Sequence, residues 1–149
     1  MKKVFFLTAM SLFCLLATAQ VKISNSTGGL LSVEFKRCIV QGTEGYIDLV
    51  LGNRTAQSIY VSINSYMVKL YDDEGEVYTG NAISSLVFGG SQNNGCSIPK
   101  ETVVKFRINF ANVNEYAAMF SKAVIQFYID DKIPAKEVTL SDVPIIRRE

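Results

Sequence analysis

Apolar and polar residues alternate with a period of two along most of this chain. Leu31, Val33 and Phe35 alternate with Ser32, Glu34 and Lys36. Ile47, Leu49 and Leu51 lie opposite Tyr46 and Asp48. After the Asn53-Arg54-Thr55 break, Ile59, Val61 and Ile63 alternate with Ser58, Tyr60 and Ser62. Such a period, rich in β-branched and aromatic residues, predicts strands buried on one face. Val68 and Leu70 continue the pattern. Val104, Phe106, Ile108 and Phe110 stand against Val103, Lys105, Arg107 and Asn109, and Ala123–Ile129 and Glu137–Leu140 close the series.

Turn chemistry separates these runs. Gln41–Gly45 leads into the Tyr46 strand, Asp72-Asp73-Glu74-Gly75 predicts a hairpin with Gly75 left-handed, and Asp130-Asp131-Lys132 predicts another turn. Gly89–Gly95 reads as loop. Asn112 or Asn114 is placed to cap one or two helical turns over Glu115–Phe120. Seven to nine strands with at most one short helix result. Half-wet sheets need another apolar face to cover them, so the expected class is all-β: a two-sheet, immunoglobulin-like sandwich, with a small barrel as the alternative.

The first nineteen residues stand apart. Met1-Lys2-Lys3 is basic, Val4–Leu16 is almost wholly apolar, and Ala17-Thr18-Ala19 is a small-x-small cleavage site. The expectation is a cleaved signal peptide over 1–19 and one domain over 20–149, exported to the periplasm or beyond. The apolar run is too short for a stable membrane span. Phe13 ahead of Cys14 fits a lipoprotein cleavage site badly, so anchoring there is not expected.

Charge narrows the partners. Removing Lys2 and Lys3 takes the formal charge from +1 to −1, which offers no overall field for nucleic acid. The chain contains no histidine, which excludes Ser-His-Asp and Cys-His catalysis and imidazole metal ligation. No phosphate-binding glycine loop or dinucleotide fingerprint is present. The acids sit mainly in turns, at Asp72-Asp73-Glu74-Gly75-Glu76 and Asp130-Asp131, without the alternate-residue ligand spacing of a calcium loop. No cofactor, metal or catalytic residue is expected, and the chain is read as not an enzyme.

Three candidate features remain. Cys38 and Cys96 are an even pair in an oxidising compartment, and a bridge between them would contribute about 4 kcal/mol through chain entropy. Leu86-Val87-Phe88, three consecutive apolar residues running into the glycine-rich loop, suggest an exposed partner contact. Tyr60 and Tyr78, on the outward phase of their strands, suggest a glycan-stacking face, although tryptophan is absent. Lys105 and Arg107 read as solvated surface.

The run Tyr46-Ile47-Asp48-Leu49-Val50-Leu51-Gly52-Asn53-Arg54-Thr55, followed by Leu70-Tyr71-Asp72-Asp73-Glu74-Gly75-Glu76-Val77-Tyr78, is similar to small exported bacterial immunoglobulin-like domains of unknown function. The likeness spans roughly Leu31–Phe110 and rests on turn motifs. It implies a sandwich with no catalytic residues to carry over. The function expected is a non-catalytic binding module for a protein or glycan partner. The alternative is a carbohydrate-binding accessory domain using outward tyrosines.

Overall fold

The computed structural model describes residues 20–149. The expected leader, its cleavage site and Cys14 lie outside the described residues. Among those described, thirteen strands follow one another: β1 (Lys22–Asn25), β2 (Leu31–Gln41), β3 (Glu44–Asn53), β4 (Ile59–Ser62), β5 (Val68–Asp72), β6 (Val77–Tyr78), β7 (Ile83–Phe88), β8 (Ser91–Gln92), β9 (Gly95–Ile98), β10 (Val103–Phe110), β11 (Met119–Ile129), β12 (Lys132–Pro144) and β13 (Ile146–Arg148). The count exceeds the expected seven to nine because several strands hold two to four residues, too few to show a period.

The strands form two sheets. One has six strands in the order β13-β2-β3-β10-β7-β8. The other has seven, in the order β1-β12-β11-β4-β9, with β5 also pairing β11 and β6 pairing β5. Their apolar phases meet between the layers. Ile47, Leu49, Leu51, Phe106, Ile108 and Phe110 come from the six-stranded sheet; Val61, Leu70, Ile125, Phe127, Val138 and Leu140 come from the other. Aromatic rings knit the layers edge to face. Phe106 meets Phe127 at 5.6 Å between centroids, and Phe110 meets Phe120 at 5.3 Å. The all-β sandwich is therefore the observed class.

Turns follow residue chemistry. Gly75 takes φ +91° after β5, and Asp130 and Asp131 both take left-handed φ, at 53° and 54°, between β11 and β12. That conformation suits short hairpins, and Asp tolerates it better than most non-glycine residues. Gly89 and Gly90 do the same between β7 and β8, so the stretch expected as loop contains a short hairpin, Phe88 opposite Ser91.

Several expectations fail for identifiable reasons. The helical turns over Glu115–Phe120 do not form. Asn114 accepts from the Tyr116 amide at 2.9 Å in a local turn, and Met119 and Phe120 pair with Pro144 and Val143 across β11–β12. A local side-chain bond thus competes with helix, and sheet pairing takes the rest. Helical geometry appears instead as 3-10 turns at Ser65–Met67 and Gly80–Ala82. Arg147 and Arg148 near the end of the chain belong to an exposed strand, β13, which runs parallel to β2.

The expected Cys38–Cys96 disulfide is not formed; both cysteines are free. Cys38 lies in β2 opposite Ile47, in the six-stranded sheet. Cys96 lies in β9, the strand at the end of the seven-stranded path. Strand β2 packs near β1 and β12, at the opposite side of that sheet from β9, so topology carries the two thiols to different edges of the sandwich.

Asn53 replaces that bridge as a tie between layers. At the end of β3 it is 4% exposed, and its amide nitrogen donates to Gln57 O at 2.7 Å and to Ile98 O at 2.9 Å. Its Oδ1 accepts from the backbone nitrogen and hydroxyl of Thr55, both at 2.8 Å. Ile98 belongs to the other sheet, so one satisfied amide joins the two.

Candidate functional site

The outward face of the six-stranded sheet carries a connected group of charges. It is built by register. Asp48 at the centre of β3 lies opposite Arg37 of β2 on one side and Arg107 of β10 on the other. Val87 of β7 continues the row beyond Arg107. A β-bulge between Phe35 and Arg37 turns Arg37 onto the same side as Asp48. The next row holds Ile39, Tyr46, Asn109 and Ser85, and the previous one Glu34, Val50 and Lys105.

Asp48 accepts from both arginines. Arg107 grips it in a fork, Nε to Oδ1 at 2.6 Å and Nη2 to Oδ2 at 2.9 Å. Arg37 Nε donates to Oδ2 at 2.8 Å. The Arg107 guanidinium also lies 3.8 Å from the Tyr46 ring centroid, so it is both forked and stacked. Planar guanidinium, carboxylate and phenol ring lock one another at the middle of a rigid sheet.

These groups are held in their charged forms. Burial opposes ionisation of Asp48 most strongly, but the hydrogen bonds and charges of Arg107 and Arg37 outweigh it and hold the carboxyl below its ordinary value. The Asp48 hydrogen bond is the leading reason that the Arg37 and Arg107 pKa values rise. Groups that keep their charge across physiological pH exchange no protons there. This cluster therefore supplies fixed charge and aimed N–H donors, which is binding chemistry rather than acid–base chemistry.

Around it the face is concave. A depression of about 710 Å³ is lined by Lys36, Arg37, Asp48, Val87, Lys105 and Arg107, among others. A second, of about 490 Å³, adjoins it at Asn109 and continues past Tyr46 to Gln41 and Arg148. Lys36 is paired with Glu34 at 2.6 Å. Among the described residues, Lys105 has no ion-pair partner and Arg37 uses only Nε.

The residues singled out from sequence are placed differently. Leu86 and Phe88 are buried, 4% exposed each, and Phe88 stacks on Phe106 at 4.5 Å. They belong to the core and not to a partner contact, because ordinary alternation turns both inward. Val87 alone points outward, half-buried, into the larger depression. Tyr60 is outward and 41% exposed. Tyr78 is buried at 3%, so the two tyrosines share no stacking face.

Tyr78 is drawn inward by partners. Its hydroxyl donates to Asp72 Oδ2 at 2.7 Å and accepts from the Asn114 amide at 3.0 Å. Burial is the leading reason that its pKa rises, and the Asp72 bond adds to it. Asp72 Oδ1 accepts from the amides of Glu74 and Glu76 at 3.0 and 2.8 Å, which accounts for the acidic hairpin as turn chemistry. Burial pushes the Cys38 thiol up to about 12, leaving it a small apolar core residue rather than a nucleophile.

Sequence reasoning missed the cluster. Its only trace was the outward phase of Asp48 and Arg107, visible in each strand separately; the neighbour relation between β2, β3 and β10 is what assembles it.

No protein-family profile matches the chain. No curated protein sequence matches it either. Solved structures are similar at low identity. The apo PmoF2 PCuAC domain aligns at 12% identity and TM-score 0.49, over 78% of this chain and 90% of that one. The periplasmic chaperone SfaE aligns at 11% and 0.37, over 79% and 56%. A PapD-like domain of human CEP192 aligns at 12% and 0.38, over 78% and 87%.

Proposed function

We propose that this chain is an exported, non-catalytic binding module that engages its partner through the outward face of the six-stranded sheet. One observation carries the reading. Arg37, Asp48, Arg107 and Tyr46 form a preorganised group of fixed charges at the floor of a concave face, centred on β3 and β10, which are paired on both sides. A rigid sheet holds its donors in place before the partner arrives, so less ordering entropy is spent on binding. The buried Tyr78 and the core positions of Leu86 and Phe88 draw the reading away from the tyrosine face and the apolar loop edge.

The test is a lysine-acetylation footprint of residues 20–149, with and without a native envelope extract. Lys36 and Lys105 lie on the proposed face, whereas Lys69 and Lys122 lie on exposed positions of the other sheet. Protection of the first pair with unchanged labelling of the second is the expected result. Equal labelling of all four with and without extract contradicts it.

A further inference from the structure

We infer that the partner on this face is an anionic polysaccharide, one whose sugar units carry carboxylate or sulfate groups; this rests on the binding reading above and names its ligand class. The argument begins with what the face offers. Strands β3 and β10 are each paired on both sides, so their backbone groups are spent in the ladder. An extended peptide therefore finds no free edge at the centre of this face; the stretch of β2 ahead of Ile39, which β3 alone pairs, lies at its margin. What remains is side-chain N–H: the two Nη groups of Arg37, the Lys105 ammonium, the Asn109 amide and, at the far end, Arg148.

The charge on this face is not balanced. Asp48 offsets one of the two arginines that it bonds, Lys36 is offset by Glu34, Glu44 counts against Arg148 at the far end, and one arginine and Lys105 are left over. The chain from residue 20 onward is formally −1, so the cationic excess is local to the face and not a general property of the protein. A guanidinium whose two Nη groups are unspent suits a planar or tetrahedral oxyanion, which accepts two parallel bonds.

The shape points to a chain rather than a single small anion. The two depressions adjoin through Asn109 and run from Lys36 and Lys105 to Gln41 and Arg148. Cations stand at both ends and at the middle, with amide and hydroxyl groups of Asn109, Ser85 and Gln41 between them and one acid, Glu44, in the lining at the Arg148 end. Protein partners are anchored by apolar and aromatic residues in dry pockets. On this face the apolar side chains are half-buried Val50 and Val87 and buried Ile39, with Ile146 exposed at the β13 margin, and the one aromatic, Tyr46, is stacked by Arg107. Alternating hydroxyls and anions complement such a surface better than an apolar anchor would.

The experiment is isothermal titration of residues 20–149 with four polymers at low salt: polygalacturonate, heparin, neutral dextran and poly-glutamate. Polygalacturonate and heparin separate carboxylate from sulfate as the anion. Binding of either one, at least about tenfold tighter than poly-glutamate and absent with dextran, is the expected result. The double variant Arg37→Gln/Lys105→Gln should then lose about tenfold or more in affinity while remaining folded, with a thermal midpoint lowered no more than that of Asp48→Asn, and Lys69→Gln/Lys122→Gln should bind as the parent does. Equal binding of poly-glutamate, binding of dextran, or binding that ignores the double variant overturns the ligand class. If no polymer binds but envelope extract still protects Lys36 and Lys105, the ligand class falls and the binding face stands; loss of both overturns both.

Discussion

Arg107 holds Asp48 in a fork, with hydrogen bonds of 2.6 and 2.9 Å, and lies 3.8 Å from the centre of the Tyr46 ring. The same carboxylate accepts Arg37 from the opposite strand. One acid thus organises two cations across three strands of one face, beside the Asn109–Ser85 bond that links β10 to β7.

Asp48→Asn should destabilise the fold by about 1–2 kcal/mol at neutral pH, because two guanidinium groups lose a charged acceptor at a half-wet site. The effect should depend on pH. The folded carboxyl has a pKa below its unfolded value, so its contribution is full above the ordinary carboxylate range and vanishes as pH falls through the folded value. Urea midpoints measured against pH check this: the parent and variant curves should converge in acid.

Phe88→Ser should be severe. The ring is buried against Phe106 at 4.5 Å, and truncating a core phenylalanine typically costs about 3–5 kcal/mol, with a buried hydroxyl adding to it. Val87→Ser on the outward side should cost well under half of that. Thermal unfolding of both variants compares them directly.

Asn53→Leu should cost about 2–4 kcal/mol, since it removes the side-chain donor to the Ile98 carbonyl and the acceptor of the Thr55 amide, while the Gln57 carbonyl keeps the Thr55 hydroxyl. The loss is local to the joint between the sheets. Hydrogen exchange should rise first at the β3 end and in β9.

Tyr78→Phe should cost about 1–3 kcal/mol by stripping a bond from buried Asp72 and from the Asn114 amide, while Tyr60→Phe should be close to neutral. Tyr78 has its folded pKa raised, so its contribution is present below the unfolded tyrosine value and is lost as pH rises above it. Ultraviolet titration should show one tyrosine that ionises only as the protein unfolds in alkali.

The cysteines give a chemical check. With Cys38 buried and its thiol pushed up to about 12, residues 20–149 should label only at Cys96 when native and at both sites when denatured without reductant. No labelling after denaturation would restore the disulfide.

The fold was legible because its evidence is local. Alternation in Leu31–Phe35, Ile47–Leu51 and Val104–Phe110 marks the core side of each strand, and Gly75 and Asp130-Asp131 mark turns by the conformations those residues tolerate. What was not legible depends on which strands are neighbours. Tyr78 reads as outward in the sequence, but its two-residue strand is too short for alternation to decide burial; Val77 is the outward residue, and Asp72 and Asn114, distant in sequence from one another, draw Tyr78 in. Cys38 and Cys96 are separated by sheet order rather than by spacing. The Arg37–Asp48–Arg107 group joins three strands and a bulge, and no single stretch of sequence holds more than one of its members.

The most direct test of the account is the titration of the Asp48 side chain, followed by NMR through its carboxyl carbon, with the Asp48→Asn spectrum giving the assignment. The account predicts a midpoint clearly below the ordinary value of 3.8, so that the carboxylate stays charged between its two arginines throughout the physiological range. A midpoint at or above that value would mean that the cluster is not formed in solution, and the fixed-charge face would go with it.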